Sequence, residues 1–199
     1  MSKRPSSPPK PHAGSGQLRI IAGQWRSRRL PVADGPGLRP TPDRVRETLF
    51  NWLAPYIEGA RVLDPFTGAG ALTLEALSRG AQSALALDLN SQSISNLKAN
   101  LQLLQCNQAQ VLQTDALAYL GQTASNSHDV VFLDPPFHQN LLHDACQLLE
   151  NNGWLAAQAW IYTESETAPS ALGLPANWRL HREKKAGVVH YALWERMGA

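Results

Sequence analysis

The sequence has little cysteine, no long apolar run and no cluster of metal-binding side chains. Its two cysteines, Cys106 and Cys146, are too few for a disulfide framework and form no Cys-x-x-Cys or Cys/His cluster. We therefore expect reduced thiols and no metal site. No apolar run approaches the roughly 18 residues that span a bilayer, and the N-terminus lacks the apolar core of a signal peptide. These deficits predict a soluble, cytoplasmic protein without a membrane partner.

Positive charge is scarce outside the first quarter of the chain. Residues 1–50 contain ten Lys/Arg and three Asp/Glu, whereas residues 51–199 contain eight Lys/Arg and thirteen Asp/Glu. The net charge of +2 therefore conceals a basic arm of +7 on a mildly acidic body of −5. Such an arm is typical of proteins that bind a polyanion, most often nucleic acid. A solvated basic tail would have the same composition.

Short apolar runs alternate with segments of helical periodicity from residue 61 onward. The last two runs, parted by Ala186 and Gly187, are β-rich and predict a closing antiparallel hairpin. This alternation predicts an α/β fold with a doubly wound, mostly parallel, seven-stranded sheet. The expected strands are 61–64, 83–88, 109–113, 129–133, 158–163, 178–185 and 188–195. The expected helices are 70–79, 91–104 and 138–150, with a shorter turn or helix over 115–120.

The first 54 residues predict a separate small unit. Residues 1–16 are rich in Ser, Pro, Gly and Lys, which predicts a disordered tail. Residues 17–54 predict a β-hairpin with Gly23 near its turn, followed by a helix with Thr41 as its N-cap. Four arginines surround Trp25 in the hairpin, so it could hold phosphates and stack on a base. Alternatively, Trp25 covers core. Residues 55–199 would form the main domain.

Residues 62–70, Val-Leu-Asp-Pro-Phe-Thr-Gly-Ala-Gly, predict a strand, a glycine turn and the start of a helix. A dinucleotide-binding turn would have a third glycine where this chain has Thr73. The pattern Asp-x-x-x-Gly-x-Gly instead resembles the first motif of class I S-adenosylmethionine (SAM) methyltransferases. That resemblance implies that the backbone of Gly68 and Gly70 lies along the methionine part of SAM, with Asp64 facing its ammonium. The alternative is a loop that needs two glycines only to turn.

An aspartate lies at or just beyond the end of four predicted strands, where ligands of such sheets bind. Asp88 could accept hydrogen bonds from both ribose hydroxyls, which suits SAM and NAD equally. Asp115 resembles the methyltransferase residue that accepts from the adenine amino group, although it could instead be a helix N-cap. The expected cofactor residues are Asp64, Phe66, Gly68, Gly70, Asp88, Asp115 and Ala116.

Residues 134–137, Asp-Pro-Pro-Phe, follow an apolar run and carry the most specific signal in the chain. They resemble the Asn/Asp/Ser-Pro-Pro-Tyr/Phe motif of methyltransferases that act on amino or amide nitrogens. The amine of a base is a poor nucleophile because its lone pair is delocalised into the ring. The Asp134 carboxylate and the Pro135 carbonyl can each accept one N–H and so direct that lone pair at the methyl group. Phe137 can stack on a flipped base. The alternative is a structural proline loop.

Residues 19–26, 37–53 and 134–137 together resemble the bacterial 16S rRNA (guanine-N2) methyltransferases of the RsmD family. The resemblance extends over about residues 16–196 and implies a Rossmann-like class I domain with an N-terminal RNA-gripping extension. It also implies SAM as the cofactor and 16S rRNA, within the small ribosomal subunit or its assembly intermediate, as the partner. We expect the enzyme to be a monomer. The expected RNA contacts are Arg19, Trp25, Arg26, Arg28, Arg29, Arg39, Arg44 and Arg46.

Three other functions stay open on the sequence. An adenine-N6 methyltransferase of DNA or RNA shares Asp-Pro-Pro-Phe and is opposed only by the N-terminal resemblance. A catalytically silent RNA-binding assembly factor is opposed by the intact Asp134 and glycine turn. An NAD-dependent oxidoreductase is opposed by Thr73, which stands in place of the third glycine.

Overall fold

The computed structural model describes residues 16–32, 41–137 and 141–198. Nearly all of the predicted tail, Arg39 and residues 138–140 lie outside the described residues. The elements follow one another as β1 Gly16–Arg19, β2 Arg29–Val32, α1 Asp43–Trp52, β3 Arg61–Asp64, α2 Ala71–Ser78, β4 Ser83–Asp88, α3 Ser91–Leu103, β5 Ala109–Gln113, α4 Ala116–Leu120, β6 His128–Leu133, α5 Leu141–Asn151, β7 Leu155–Ser165, a 3-10 turn Pro169–Ala171, β8 Trp178–Ala186 and β9 Val189–Arg196.

Strands β3 to β9 form one seven-stranded sheet in the order β5-β4-β3-β6-β7-β9-β8. The first five are mutually parallel, and β9 runs antiparallel to both β7 and β8. The predicted α/β class, strand set and closing hairpin are therefore confirmed. The strand order reverses between β3 and β6, so the crevice where ligands of such sheets bind lies beyond Asp64 and Asp134.

Helices cover both faces of the sheet. One core cluster joins α1, α2 and α3 to the sheet and contains Leu49, Leu74 and Phe132, none of which is exposed. The other joins α5 to the opposite face and contains Cys146 and Ile161. This double cover explains the nearly continuous apolar character of the central strands.

The structure can be compared with the sequence for its cysteines, its possible metal ligands and its possible membrane-spanning helices. Both cysteines are free, and burial raises the pKa of the Cys146 thiol. In the part of the chain that the structure describes, no three His, Cys, Asp or Glu side chains group in a way that could hold a metal ion. Within the same residues, no helix has the length and apolarity needed to cross a membrane.

A buried carboxylate of α2 is one of the groups that bind the N-terminal extension to that helix. Glu75 is fully buried, and its carboxylate accepts hydrogen bonds from the backbone N–H groups of Ile21, at 2.8 Å, and Ala22, at 3.0 Å. Arg79 donates to the same carboxylate at 2.7 Å, and Nη1 of Arg46 lies 3.7 Å from it. The hairpin loop is therefore held against the helix that follows the glycine turn.

The prediction that Arg46 is free for a ligand is wrong. Its side chain is 1% exposed, and Nη2 donates to Asp43 at 2.6 Å and to the carbonyl of Arg19 at 2.8 Å. The sequence did not reveal this, because Glu75 is 29 positions away and is adjacent to Arg46 only in the fold. Arg46 therefore belongs to the joint between the extension and the main domain.

The start of α1 also differs from the sequence prediction. Pro42 occupies the N-cap position, and no side chain caps the helix. Thr41 lies one residue earlier, and its hydroxyl donates to the Asp134 carboxylate at 3.4 Å. The extension therefore contacts the main domain at the Asp-Pro-Pro-Phe segment as well as at Glu75.

We expect Gly23→Ala to destabilise the protein by about 2–4 kcal/mol through left-handed strain and overpacking. Gly23 has φ +82°, and a Cβ atom there would lie 1.8 Å from the carbonyl oxygen of Ser78. Gly59 is the matched control because its φ is +74° and nothing lies within 4 Å of an added Cβ. Urea denaturation of both alanine variants measures the difference. Equal losses in the two would contradict the close approach of the hairpin to α2.

Candidate functional site

The glycine turn between β3 and α2 lies at the carboxyl edge of the sheet. Both glycines adopt positive φ, +51° at Gly68 and +78° at Gly70. An added Cβ at Gly68 would meet nothing within 4 Å, whereas one at Gly70 would lie 2.5 Å from Cδ1 of Leu97. A side chain at Gly70 would therefore displace Leu97 and strain the backbone, whereas the backbone at Gly68 faces open space that a ligand can approach.

Asp64 ends β3 with a buried carboxylate. Its Oδ2 accepts from the hydroxyls of Thr67, at 2.9 Å, and Thr73, at 2.7 Å. Burial raises the pKa of Asp64 to about 7, with a smaller contribution from the charges of Asp134 and Asp88, while the two threonine bonds oppose the shift. Thr73, noted in the sequence only as a missing glycine, thus orients this carboxylate. Its spacing of nine from Asp64 gives no signal before α2 is folded.

Asp88 ends β4 and is bound to the glycine turn. Its Oδ2 accepts from the backbone N–H of Gly68 at 2.8 Å, and its Oδ1 accepts from Asn90 N–H at 2.8 Å. A carboxylate has about four acceptor positions, so lone pairs remain for two hydroxyls. The predicted ribose contact stays a prediction. Leu89, 69% exposed, adds an apolar surface beside Asp88 that the sequence analysis missed.

Asp115 is the N-cap of α4, which was the structural alternative. Its Oδ1 accepts from the N–H of Ala118 at 2.8 Å. An adenine contact through its other oxygen stays a prediction. Of the other expected cofactor residues, Ala116 is buried and Phe66 is half-buried against the second core cluster.

Asp134, at the end of β6, lies beside a second acid that the sequence analysis missed. Leu133 pairs with Thr163 of β7, so the next residue of β7, Glu164, is the neighbour of Asp134 across the sheet edge. Burial, followed by the charge of Glu164, raises the pKa of Asp134 to about 8. Burial also raises the pKa of Glu164. A clue was available in the sequence, because Glu164 interrupts an apolar strand at its carboxyl end.

The rest of the Asp-Pro-Pro-Phe motif borders a cavity. Pro135 is buried, whereas Phe137 remains 39% exposed. The cavity has a volume of about 660 Å³ and is lined by Phe137 and Glu164, among others. That volume is in the range of small-molecule sites, so one base can be accommodated.

Of the predicted RNA residues that the structure describes, five arginines are exposed, Trp25 is half-buried and Arg46 is buried. Arg26, Arg28, Arg29 and Arg44 are exposed, as is Arg19, whose guanidinium pairs with Asp43 at 3.2 Å. Trp25 is half-buried against the first core cluster, which supports the alternative that it covers core.

We expect the free energy of unfolding of the ligand-free protein to fall as pH rises from about 5 to 8. Asp64 and Asp134 have raised pKa values of about 7 and about 8 in the fold, so they hold protons that the unfolded chain has already released. Their stabilising contribution is therefore complete below pH 4 and is lost as pH rises through the folded pKa. Urea denaturation across this range measures the slope.

Asp134→Asn should flatten that slope. Asp129→Asn is the control, because its pairing with Arg61 lowers the pKa of Asp129 and so confines its linkage to pH below about 4. This control should lose stability about equally at every pH from 5 to 8. A parent slope retained in Asp134→Asn would contradict the raised pKa.

The sequence of this chain is similar to those of known proteins. A family model described as "Conserved hypothetical protein 95" matches residues 18–195. The ribosomal RNA small subunit methyltransferase D of Escherichia coli K12 is 54% identical over 185 residues, which cover 93% of either chain. The protein of the same name from Haemophilus influenzae is 50% identical over 183 residues, covering 90% of this chain and 94% of its own.

Solved structures are also similar to this chain. An Escherichia coli structure, named as a proposed methyltransferase, is 53% identical, has a TM-score of 0.85 and covers 92% of this chain and 100% of its own. A proposed RNA methyltransferase from Pyrococcus horikoshii, 16% identical with a TM-score of 0.63, shares the fold over 85% of this chain and 94% of its own. From the family model and the relatives of 50% identity or more, we conclude that this chain belongs to the ribosomal RNA small subunit methyltransferase D family.

Proposed function

We propose that this protein transfers a methyl group from SAM to the exocyclic N2 amine of a guanine in 16S rRNA of the small ribosomal subunit. The observation that carries the proposal is the Asp-Pro-Pro-Phe segment at the switch point, next to the strand that leads into the glycine turn and beside a cavity large enough for a base. The names of the relatives support small-subunit rRNA as the substrate. The proposal places the enzyme in the cytoplasm with the ribosomes, as a monomer, since one chain carries both the catalytic edge and the extension.

The residues around the glycine turn fit SAM. The buried Asp64 carboxylate takes part in no ion pair among the described residues, so the cationic ammonium of the cofactor would compensate its charge. The open backbone at Gly68 admits the methionine chain, and Asp88 has lone pairs for the ribose hydroxyls. When bound, SAM supplies an electrophilic methyl group on its sulfonium.

Asp134 and Pro135 would prepare the amine for attack. The Asp134 carboxylate accepts one N2–H and the Pro135 carbonyl accepts the other, which aims the nitrogen lone pair at the methyl carbon. As the N–C bond forms, the C–S bond breaks and its electron pair remains on sulfur. The nitrogen then releases a proton, and the Asp134 carboxylate is an adjacent group that can accept it.

The N-terminal extension would bring RNA to that edge. Its loop presents the exposed Arg26, Arg28 and Arg29, while Thr41 contacts Asp134. Because Glu75 holds the loop against α2, RNA bound to the extension has a defined position relative to the cofactor turn.

One assay tests the proposal. The protein is incubated with labelled SAM and either unmethylated small subunits, free 16S rRNA or duplex DNA, and the labelled nucleoside is identified after digestion. We expect N2-methylguanosine from 16S rRNA, free or within small subunits. Labelled N6-methyladenosine would support the rival activity, and no labelled nucleoside would support a silent binding protein.

We expect Asp134→Ala to reduce methyl transfer by at least about 100-fold, the scale of losing one preorganised polar group at a reacting centre. SAM affinity should change little, because Asp134 is assigned to the amine rather than to the cofactor. Single-turnover transfer and calorimetric titration with SAM separate the two effects. Wild-type transfer by this variant would contradict the assigned role.

Replacing Arg26, Arg28 and Arg29 with alanine should weaken RNA binding and lower its log–log salt slope by about 2–3, since each phosphate contact contributes roughly 0.7–0.9. The corresponding triple lysine variant is the control, because it keeps the charges and should keep most of the slope. Binding to small subunits is measured across a salt series. A parent slope in the alanine variant would show that these arginines do not hold phosphates.

A further inference from the structure

Two carboxylates, Asp134 and Glu164, lie on neighbouring strands at the carboxyl edge of the sheet, and Glu164 lines the cavity. Leu133 of β6 pairs with Thr163 of β7, and Asp134 and Glu164 are the next residues of the two strand segments. Glu164 is 8% exposed. Over residues 16–32, 41–137 and 141–198, no ion pair includes either acid. Buried acids without a cation are unfavourable unless hydrogen-bond donors satisfy them. This pair therefore fits a ligand edge that is rich in N–H groups.

Tyr162 orients one of these carboxylates. It precedes Glu164 by two residues, which places both side chains on the same face of β7. Its hydroxyl is fully buried and donates to Oε1 of Glu164 at 2.7 Å. With Oε1 engaged, Oε2 is the oxygen that can accept a hydrogen bond from a molecule in the cavity that Glu164 lines.

The Watson–Crick edge of guanine matches this arrangement, whereas that of adenine does not. Guanine presents N1–H next to its N2 amine, which makes three adjacent N–H bonds. Adenine presents an amine next to an unprotonated N1, whose lone pair would face a carboxylate. Flipped bases are commonly read by hydrogen bonds to this edge.

We propose that Glu164 is the residue that selects guanine, accepting N1–H through Oε2 while Asp134 and Pro135 hold the N2 amine, an inference that rests on the proposed function. Tyr162 is its positioning residue. Burial raises the pKa of both carboxyls, and the charge of Glu164 adds to the shift at Asp134. The three N–H bonds of a guanine would favour the charged forms of both. Adenine gains no such stabilisation, because its N1 lone pair repels the same oxygen.

The test changes both partners of the proposed hydrogen bond, the base at N1 and the protein at Glu164. Small subunits are reconstituted with 16S rRNA that carries either guanine or 2,6-diaminopurine at the methylated position. Diaminopurine keeps the N2 amine but has no N1–H. The parent should favour guanine by roughly 100-fold or more in kcat/KM, because sites built to bind an N–H reject analogues that lack it.

Glu164→Gln should remove or reverse that preference. Tyr162 donates to the amide oxygen, so the amide nitrogen occupies the place of Oε2 and donates to N1 of diaminopurine, while it opposes N1–H of guanine. Glu166→Gln is the matched control, because it removes one charge from the same cavity and should keep the guanine preference. SAM titration and thermal unfolding confirm that each variant is folded.

The results of these experiments either support or overturn the proposed role of Glu164. A Glu164→Gln variant that favours guanine as strongly as the parent overturns it, while guanine methylation by the parent leaves the proposed function intact. If the parent methylates neither base at N2, the proposed function fails as well. If Glu164→Gln does not fold, Tyr162→Phe carries the test: it should lower the discrimination by at least about 10-fold, and parent discrimination in this variant overturns the inference.

Discussion

The buried carboxylate of Glu75 is the contact on which the arrangement of the two parts of this protein depends. It accepts from the hairpin backbone on one side and is bound by Arg79 on the other, with Arg46 3.7 Å away. Arg79 also lies over the ring of Phe50, 5.1 Å from its centroid. A buried charge that loses its partners costs several kcal/mol. The carboxylate therefore holds the extension in one position.

The position of the extension matters because α2 connects its contact with Glu75 to the glycine turn. The helix begins at the glycine turn and carries both Thr73, which binds Asp64, and Glu75, which binds the extension. One helix of eight residues therefore links the expected cofactor site to the expected RNA grip. RNA held by the extension would meet the methyl donor at a set distance, which is the geometric requirement of a transfer between two bound groups.

The carboxyl edge of the sheet concentrates acidic side chains. Asp64, Asp88, Asp134 and Glu164 all lie at the carboxyl ends of parallel strands, and burial or mutual repulsion raises the pKa of three of them. A cationic cofactor and an N–H-rich base would relieve this repulsion. The acidic edge and the basic extension thus have separate roles, since the former would recognise the reacting groups and the latter the phosphates.

The sequence alone determined the strands, the helices, the glycine turn and the Asp-Pro-Pro-Phe segment, because each depends on local periodicity or on neighbours within a few residues. Only the tertiary structure decided which charged groups are buried and which face a ligand. Arg46 was expected at the RNA and lies in the joint, while Glu164 was overlooked and lies beside Asp134. Their partners come from distant segments, and burial depends on what packs above a residue. The hydrophobic periodicity of one helix or strand does not show which residues of distant segments will pack against it.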